Sequence, residues 1–166
     1  MKYFIIIFFF LLISFTSSYS EEKILFVDIN YVLNKSNEGI KINKQLNDIQ
    51  KKNINEFKKI EKKLKIEEDK IISSKNVLSD EELNKKIIDF QKKVTDFKSL
   101  QIKKNEELNI KRNTLKKKLL SNLNTIIAEH SKENNISIVL PKSSIVIGKS
   151  DLDITKLILK KINQKK

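Results

Sequence analysis

Few residues in this sequence could act chemically on a bound molecule. His130 is the only histidine, and there is no cysteine. One imidazole and no thiolate cannot build a zinc site of the ordinary kind within a chain. They leave no credible Ser-His-Asp or Cys-His arrangement either. His130 falls near the end of a long helical stretch, where a cationic imidazole is favoured by the helix dipole, and it reads as a structural residue. The densest acids are Glu67-Glu68-Asp69 and Glu106-Glu107. Both groups lie inside helical stretches rich in lysine, so they read as solvated helix surface rather than as a carboxylate dyad in a cleft. With only Gly39 and Gly148, no glycine-rich loop can cradle a phosphate. The expectation is no enzyme, no cofactor and no metal.

Lysine is what the chain has in quantity. The 34 basic residues against 21 acidic ones give a net charge of +13 and a pI near 9.7. Arg112 is the single arginine. Lysine is a point charge on a flexible stem and lacks the guanidinium fork, so diffuse attraction is expected rather than shaped readout of phosphates or bases. A Lys-, Ile- and Asn-rich composition also suits an A+T-rich genome, a neutral source for part of this bias. The charge is concentrated. Residues Lys41 to Leu119 carry 23 basic and 13 acidic side chains, and the remainder after Ser20 carries 10 and 8.

That basic stretch is helical in pattern. From Lys41 to Lys118 there is no glycine and no proline, and apolar residues recur at helical spacing. One break interrupts it. Ser79 has the character of an N-cap, Glu82 completes a capping box, and Leu78 and Leu83 stand where a hydrophobic staple would place them. A second helix therefore starts at Asp80, and the chain doubles back at this tip. If facing residue numbers sum to 154, Ile71 meets Leu83, Leu64 meets Phe90, Ile60 meets Val94, Phe57 meets Phe97 and Leu46 meets Leu108. The return seam steps by fours and threes, the coiled-coil spacing. The same register sets Asn53 against Gln101 and Gln50 against Lys104, a polar layer expected to act as a hinge. At 1.5 Å per residue, about 38 residues per arm make a rod of roughly 55–60 Å.

The ends of the chain frame this arm. Met1 to Tyr3, the apolar run Phe4–Ile13 and the small residues Ser14–Ser20 form a secretory signal peptide, with a cut expected before Glu21. The run is too short for a membrane span of roughly 20 residues. Lys23–Ile29 reads as a buried strand. Asp28 or Asn30 would cap a first turn at Tyr31–Leu33, and Ser36–Gly39 marks a bend. After the arm, Leu119, Leu123, Ile126 and Ile127 continue the helix to about His130. Ile136–Leu140 reads as a second strand and Ser144–Gly148 as a third, joined through Pro141–Ser144 as a hairpin. Asp151 or Asp153 would cap a last amphipathic helix containing Ile154, Leu157, Ile158 and Ile162.

The resulting expectation is an α+β chain, mostly α. It has a signal peptide at 1–20, a small three-strand body from 21–40 plus 119–166, and a two-helix coiled-coil arm at 41–118. A body of that size buries little core and leaves sheet edges open, which calls for self-association. Apolar positions off the seam, namely Ile54, Ile66, Ile88, Leu100, Ile102 and Ile110, are candidates for gripping a partner.

In this order of elements the chain resembles the Skp/OmpH family of periplasmic chaperones. The resemblance rests on the signal peptide, on Lys23–Ile29 leading to Ser36 and Gly39, and on the two-helix arm. It also rests on the ending Ile136–Leu140, Ser144–Gly148 and Asp151-Leu152-Asp153-Ile154-Thr155. It implies a jellyfish-like homotrimer with a β-barrel body and helical tentacles around a cavity. It implies an ATP-independent holdase for unfolded outer-membrane β-barrel proteins. It further implies contact with lipopolysaccharide or an anionic membrane surface, for which no single residues can be aligned. Two other classes compete. A coiled-coil spacer of the cell envelope would need an anchoring motif, and none is visible. A nucleic-acid binder is permitted by net charge but opposed by export and by the lack of an aromatic platform among the lysines.

Overall fold

The computed structural model describes residues 22–165. The proposed signal peptide lies outside the described residues. Strand β1 (Lys23–Val27) leads into helix α1 (Ile29–Lys35), then α2 (Asn37–Ser74) and α3 (Asp80–Glu133). Strand β2 (Ile136–Pro141) and helix α4 (Thr155–Gln164) close the chain, with short 3-10 turns at Lys142–Ser144 and Ser150–Leu152.

The entry to the arm is built from caps. The Asp28 carboxylate accepts from the Tyr31 amide at 2.8 Å and starts α1. Ser36 ends α1 in extended conformation and at once caps α2, its fully buried hydroxyl accepting from the Gly39 amide at 3.1 Å. Gly39 is dictated by crowding. A Cβ there would lie 1.7 Å from the Leu33 carbonyl oxygen, so the two helices can meet at this angle only without a side chain.

Helices α2 and α3 pack in the antiparallel register expected from the sequence. Phe57 and Phe97 meet edge to face, with ring centroids 6.0 Å apart, a geometry preferred by aromatic quadrupoles. The seam residues from Phe57 to Ile71 and from Leu83 to Phe97 are half-buried, and Leu46 and Leu108 near the base are fully buried. At the tip the capping box is complete. Ser79 Oγ accepts from the Glu82 amide at 3.4 Å, and Glu82 Oε2 accepts from the Ser79 amide at 3.2 Å and from its hydroxyl at 2.8 Å. These bonds from Ser79 hold the Glu82 carboxyl below its ordinary pKa. Leu78 and Leu83 are both half-buried at the staple positions.

The body differs from expectation in one element. Strands β1 and β2 pair in parallel, Leu25 opposite Val139 and Phe26 opposite Leu140, so the whole helical hairpin is the crossover between them. The segment Ser144–Gly148 is not a strand, and the hairpin with β2 does not form. β2 ends at Pro141, and the 3-10 turn that follows carries the chain away rather than back along it. Val146 and Ile147 are consequently 97% and 93% exposed. The free side of β1 is met instead at one point, where the Ile154 amide donates to the Phe26 carbonyl at 2.9 Å. Beneath the sheet, Val27, Val32, Leu123, Ile126, Ile158 and Ile162 form the core. The last helix is capped at Ile154, not at an aspartate, although Asp153 Oδ1 accepts from the Thr155 amide at 2.9 Å.

Candidate binding surface

Of the acids considered for chemistry, Glu67, Glu68 and Asp69 are held along the arm by lysines. Lys65 bridges Glu68 and Asp69 at 3.0 and 3.2 Å, while Lys93 reaches Glu67 from the opposite helix. Those carboxylates raise the Lys65 pKa through hydrogen bonds and charge. Among the described residues no group of three or more His, Cys, Asp or Glu is placed to hold a metal ion.

His130 is buried, as befits a structural residue, but its surroundings do not favour the cationic form. Asn134 Nδ2 donates to His130 Nδ1 at 2.9 Å and to the His130 backbone carbonyl at 2.8 Å. The carbonyl contact fixes the amide orientation, so Nδ1 must be an acceptor and the ring neutral. Burial, then the nearby charge of Lys161, lowers its pKa, with Glu133 opposing and Lys23 reinforcing.

A second polar network ties the end of the body together. Asp153 accepts from Lys142 at 2.6 Å and from both the hydroxyl and the amide of Thr155. Thr155 Oγ1 in turn accepts from the Asp28 amide at 2.8 Å. Burial alone would raise the Asp153 carboxyl, but its bonds to Lys142 and Thr155 hold it below the usual value. Lys142 also lies 5.9 Å from the centroid of the Phe26 ring. Above this network a cleft of about 690 Å³ opens, lined by Phe26, Tyr31, Lys142, Val146 and Lys156 among others.

The off-seam isoleucines are where binding is most readily imagined. Ile54, Ile66, Ile88, Ile102 and Ile110 are exposed by 43, 47, 65, 61 and 66%. Leu100, by contrast, is half-buried, because its position borders the seam beside Phe97 and Gln101. Two exposed residues were missed by the sequence reading, Ile72 and Val77, at 63% and 85%. Both fall in the stretch read as the turn, where periodicity ceases to report orientation. Asn53 is the one buried polar residue of the arm among the described residues, Gln101 is half-buried and Gln50 exposed. A cleft of about 260 Å³ opens beside Asn53, bordered by Ile49, Lys104 and Leu108.

A small two-strand body spanned by a long basic helical hairpin has known counterparts. Residues 23–162 match the model of the family described as outer membrane protein (OmpH-like). The chain belongs to this OmpH-like family. A Skp-like protein of Pseudomonas aeruginosa is 27% identical over 111 residues, a match that takes in 67% of this chain and 66% of that relative's length. The crystal structure of an OmpH-like protein from Caulobacter crescentus, assigned as an outer membrane chaperone, superposes with a TM-score of 0.82 at 14% identity. It covers 89% of this chain and 87% of that one. At that identity the likeness establishes the fold, an OmpH-like body with coiled-coil arms.

Proposed function

We propose that this OmpH-like chain is an ATP-independent holdase that keeps unfolded outer-membrane β-barrel proteins from aggregating in the periplasm. On this reading it is exported with cleavage before Glu21 and works as a homotrimer, its arms surrounding a cavity. The observation that carries the proposal is the arm itself. It presents single exposed isoleucines among uncompensated lysines on a scaffold whose own core is a narrow seam. Such a surface offers many weak contacts and no single pocket, which suits clients that share composition rather than shape. The family match and the names of the relatives support it, and they weigh against the coiled-coil spacer. Lipopolysaccharide or an anionic membrane surface is a further partner on this reading, drawn by the same lysines.

The test is suppression of aggregation. Mature protein mixed with a urea-denatured outer-membrane barrel should keep it soluble on dilution without nucleotide, at a ratio near three chains per client. Unaltered light scattering of the diluted barrel would refute the proposal. Lipopolysaccharide vesicles added as a separate arm should compete for the lysines at low salt. Indifference to them would remove that partner alone.

A further inference from the structure

The exposed isoleucines are not spread evenly around the hairpin. The half-buried seam fixes a seven-residue frame, with Phe57, Leu64 and Ile71 at position a on α2 and Ile87, Val94 and Gln101 at position a on α3. Positions b and e then lie on one flank, c and g on the other, and in an antiparallel pair the b and e positions of both helices share a side.

The two flanks have different chemistry. On the c/g flank the helices are tied by ion pairs. Lys93 at g meets Glu67 at the adjoining seam position d, and Glu56 at g meets Lys104 at d, 3.6 Å apart. The groove on that side is lined by lysines and acids together, including Lys63, Lys70, Lys86 and Asp89. The b/e flank holds Ile54, Ile72, Ile88 and Ile102, four of the six exposed isoleucines between Lys41 and Lys118. Its α2 edge repeats lysine at Lys51, Lys58 and Lys65, with Glu61 and Glu68 at the e positions of the same flank and Lys65 paired to Glu68, and α3 adds Lys98. Among the described residues no ion pair joins the helices on this flank, and Lys51, Lys58 and Lys98 are in none.

Spacing along the arm narrows the ligand. Facing positions sum to 154, so Ile54 lies almost level with Ile102, and Ile72 lies about 9 Å along the axis from Ile88, towards the tip. At 1.5 Å per residue the two pairs are roughly 20–25 Å apart. An extended chain covers that distance in about six to eight residues, the length of a typical β-strand. Lys58 and Lys98, neither of them in an ion pair among the described residues, lie between the pairs towards the Ile54 end, while Lys65 there is paired to Glu68 and Asp69. We infer that the b/e flank is the client-holding face of the arm, and that its preferred ligand is an extended segment of about six to eight residues, apolar towards both ends with carboxylates between. This rests on the holdase reading and assigns that function to one side of each arm.

The experiment compares flanks in the full-length mature protein. One variant carries Ile54→Ser, Ile88→Ser and Ile102→Ser, and the other carries Ile66→Ser and Ile110→Ser. These side chains are exposed, so circular dichroism should match wild type for both. Affinity for a urea-denatured eight-stranded outer-membrane barrel, read by fluorescence anisotropy, should fall at least about tenfold for the first variant and less than about twofold for the second. Equal losses, or a larger loss on the c/g flank, would overturn the inference while leaving the holdase reading intact. Failure of the wild type to bind the barrel would overturn both. A photo-crosslinker at position 102 should yield client adducts and one at position 110 few. Adducts at 102 formed only between copies of this chain would show the flank to be an assembly surface and end the proposal. Of two synthetic strand-length peptides, one alternating Val with Glu and one Val with Lys, the acidic one should bind at least about fivefold tighter. Equal binding would refute the stated ligand chemistry.

Discussion

His130 links protonation to the integrity of the body. Its folded pKa is lowered from 6.5 by burial and by the Lys161 charge, so between the folded and unfolded values the native state binds fewer protons. Stability then rises with pH through that window. The contribution is fully present above 6.5 and is lost as pH falls from 6.5 towards the folded value. Protonated Nδ1 would also face the Asn134 amide donor that it now accepts from. Urea midpoints should therefore drop between pH 7.5 and 5.5, and His130→Gln, which keeps an acceptor without a charge, should flatten that slope. Asp153 and Glu82 do not compete in this range, since both are lowered from values already near 4. A wild-type midpoint constant from pH 7.5 to 5.5 would show that the ring is not held neutral. Gly39 gives a second residue-scale prediction. Gly39→Ala puts a methyl against the Leu33 carbonyl, a backbone atom that cannot swing aside, so a loss of roughly 2–3 kcal/mol or more is expected in urea denaturation. A change under about 0.5 kcal/mol would mean that α1 and α2 reorient freely.

At the scale of elements, the arm was legible and the end of the body was not. The seam could be read because a narrow apolar stripe repeated over many turns pairs best in the antiparallel register that matches apolar residue to apolar residue, and Phe57 against Phe97 obeys it. The capping box at Ser79 was equally plain, since its bonds are all local. Local pattern failed at Ser144–Gly148, where β-branched residues promised a strand. Strand formation needs an edge to pair with, and within one chain β2 is already engaged with β1 and the turn leads away. It failed at His130 too, because helix position is local while burial by α4 and β2 is tertiary. The exposed off-seam isoleucines could be picked out one by one, but their sorting onto two flanks needed the seam's observed burial. The polar layer supplies the element-scale prediction. Buried Asn53 has a cleft beside it where an apolar knob would fill space, and burying a Leu or Ile side chain is worth about 1.5–3 kcal/mol. Amide exchange should be faster around Asn53 and Gln101 than around Leu64 and Phe90, and Asn53→Leu with Gln101→Leu should slow it. Equal exchange at both levels would remove the hinge.

The whole molecule poses the question of what covers Val146 and Ile147 and the outer edge of β2. A body this small, with its two most exposed apolar side chains on one segment, gains most by pairing with further copies. Light scattering of the mature protein should give about three chain masses, and Val139→Lys, on a paired strand, should dissociate or unfold it, because an unpaired charge in a closed sheet is costly. A folded monomer at micromolar concentration would refute the trimer. Assembly would bring several arms together, each strongly basic between Lys41 and Leu119. Their mutual repulsion would splay them and their combined field would draw acidic chains inward. Capture and retention should then respond differently to salt. Screening shortens to about 8 Å at physiological ionic strength and to roughly 3 Å at 1 M, which weakens attraction at a distance but not the contact of an isoleucine with a client's apolar side chain. Stopped-flow capture of an acidic unfolded barrel should slow several-fold between low salt and 0.5 M, while dissociation of the formed complex changes little. Reversing Lys51, Lys58 and Lys98 to Glu should slow capture at low salt and leave it nearly salt-independent. If neither salt nor charge reversal alters the capture rate, the lysines serve only to solvate a helical rod, and holding rests on the isoleucines alone.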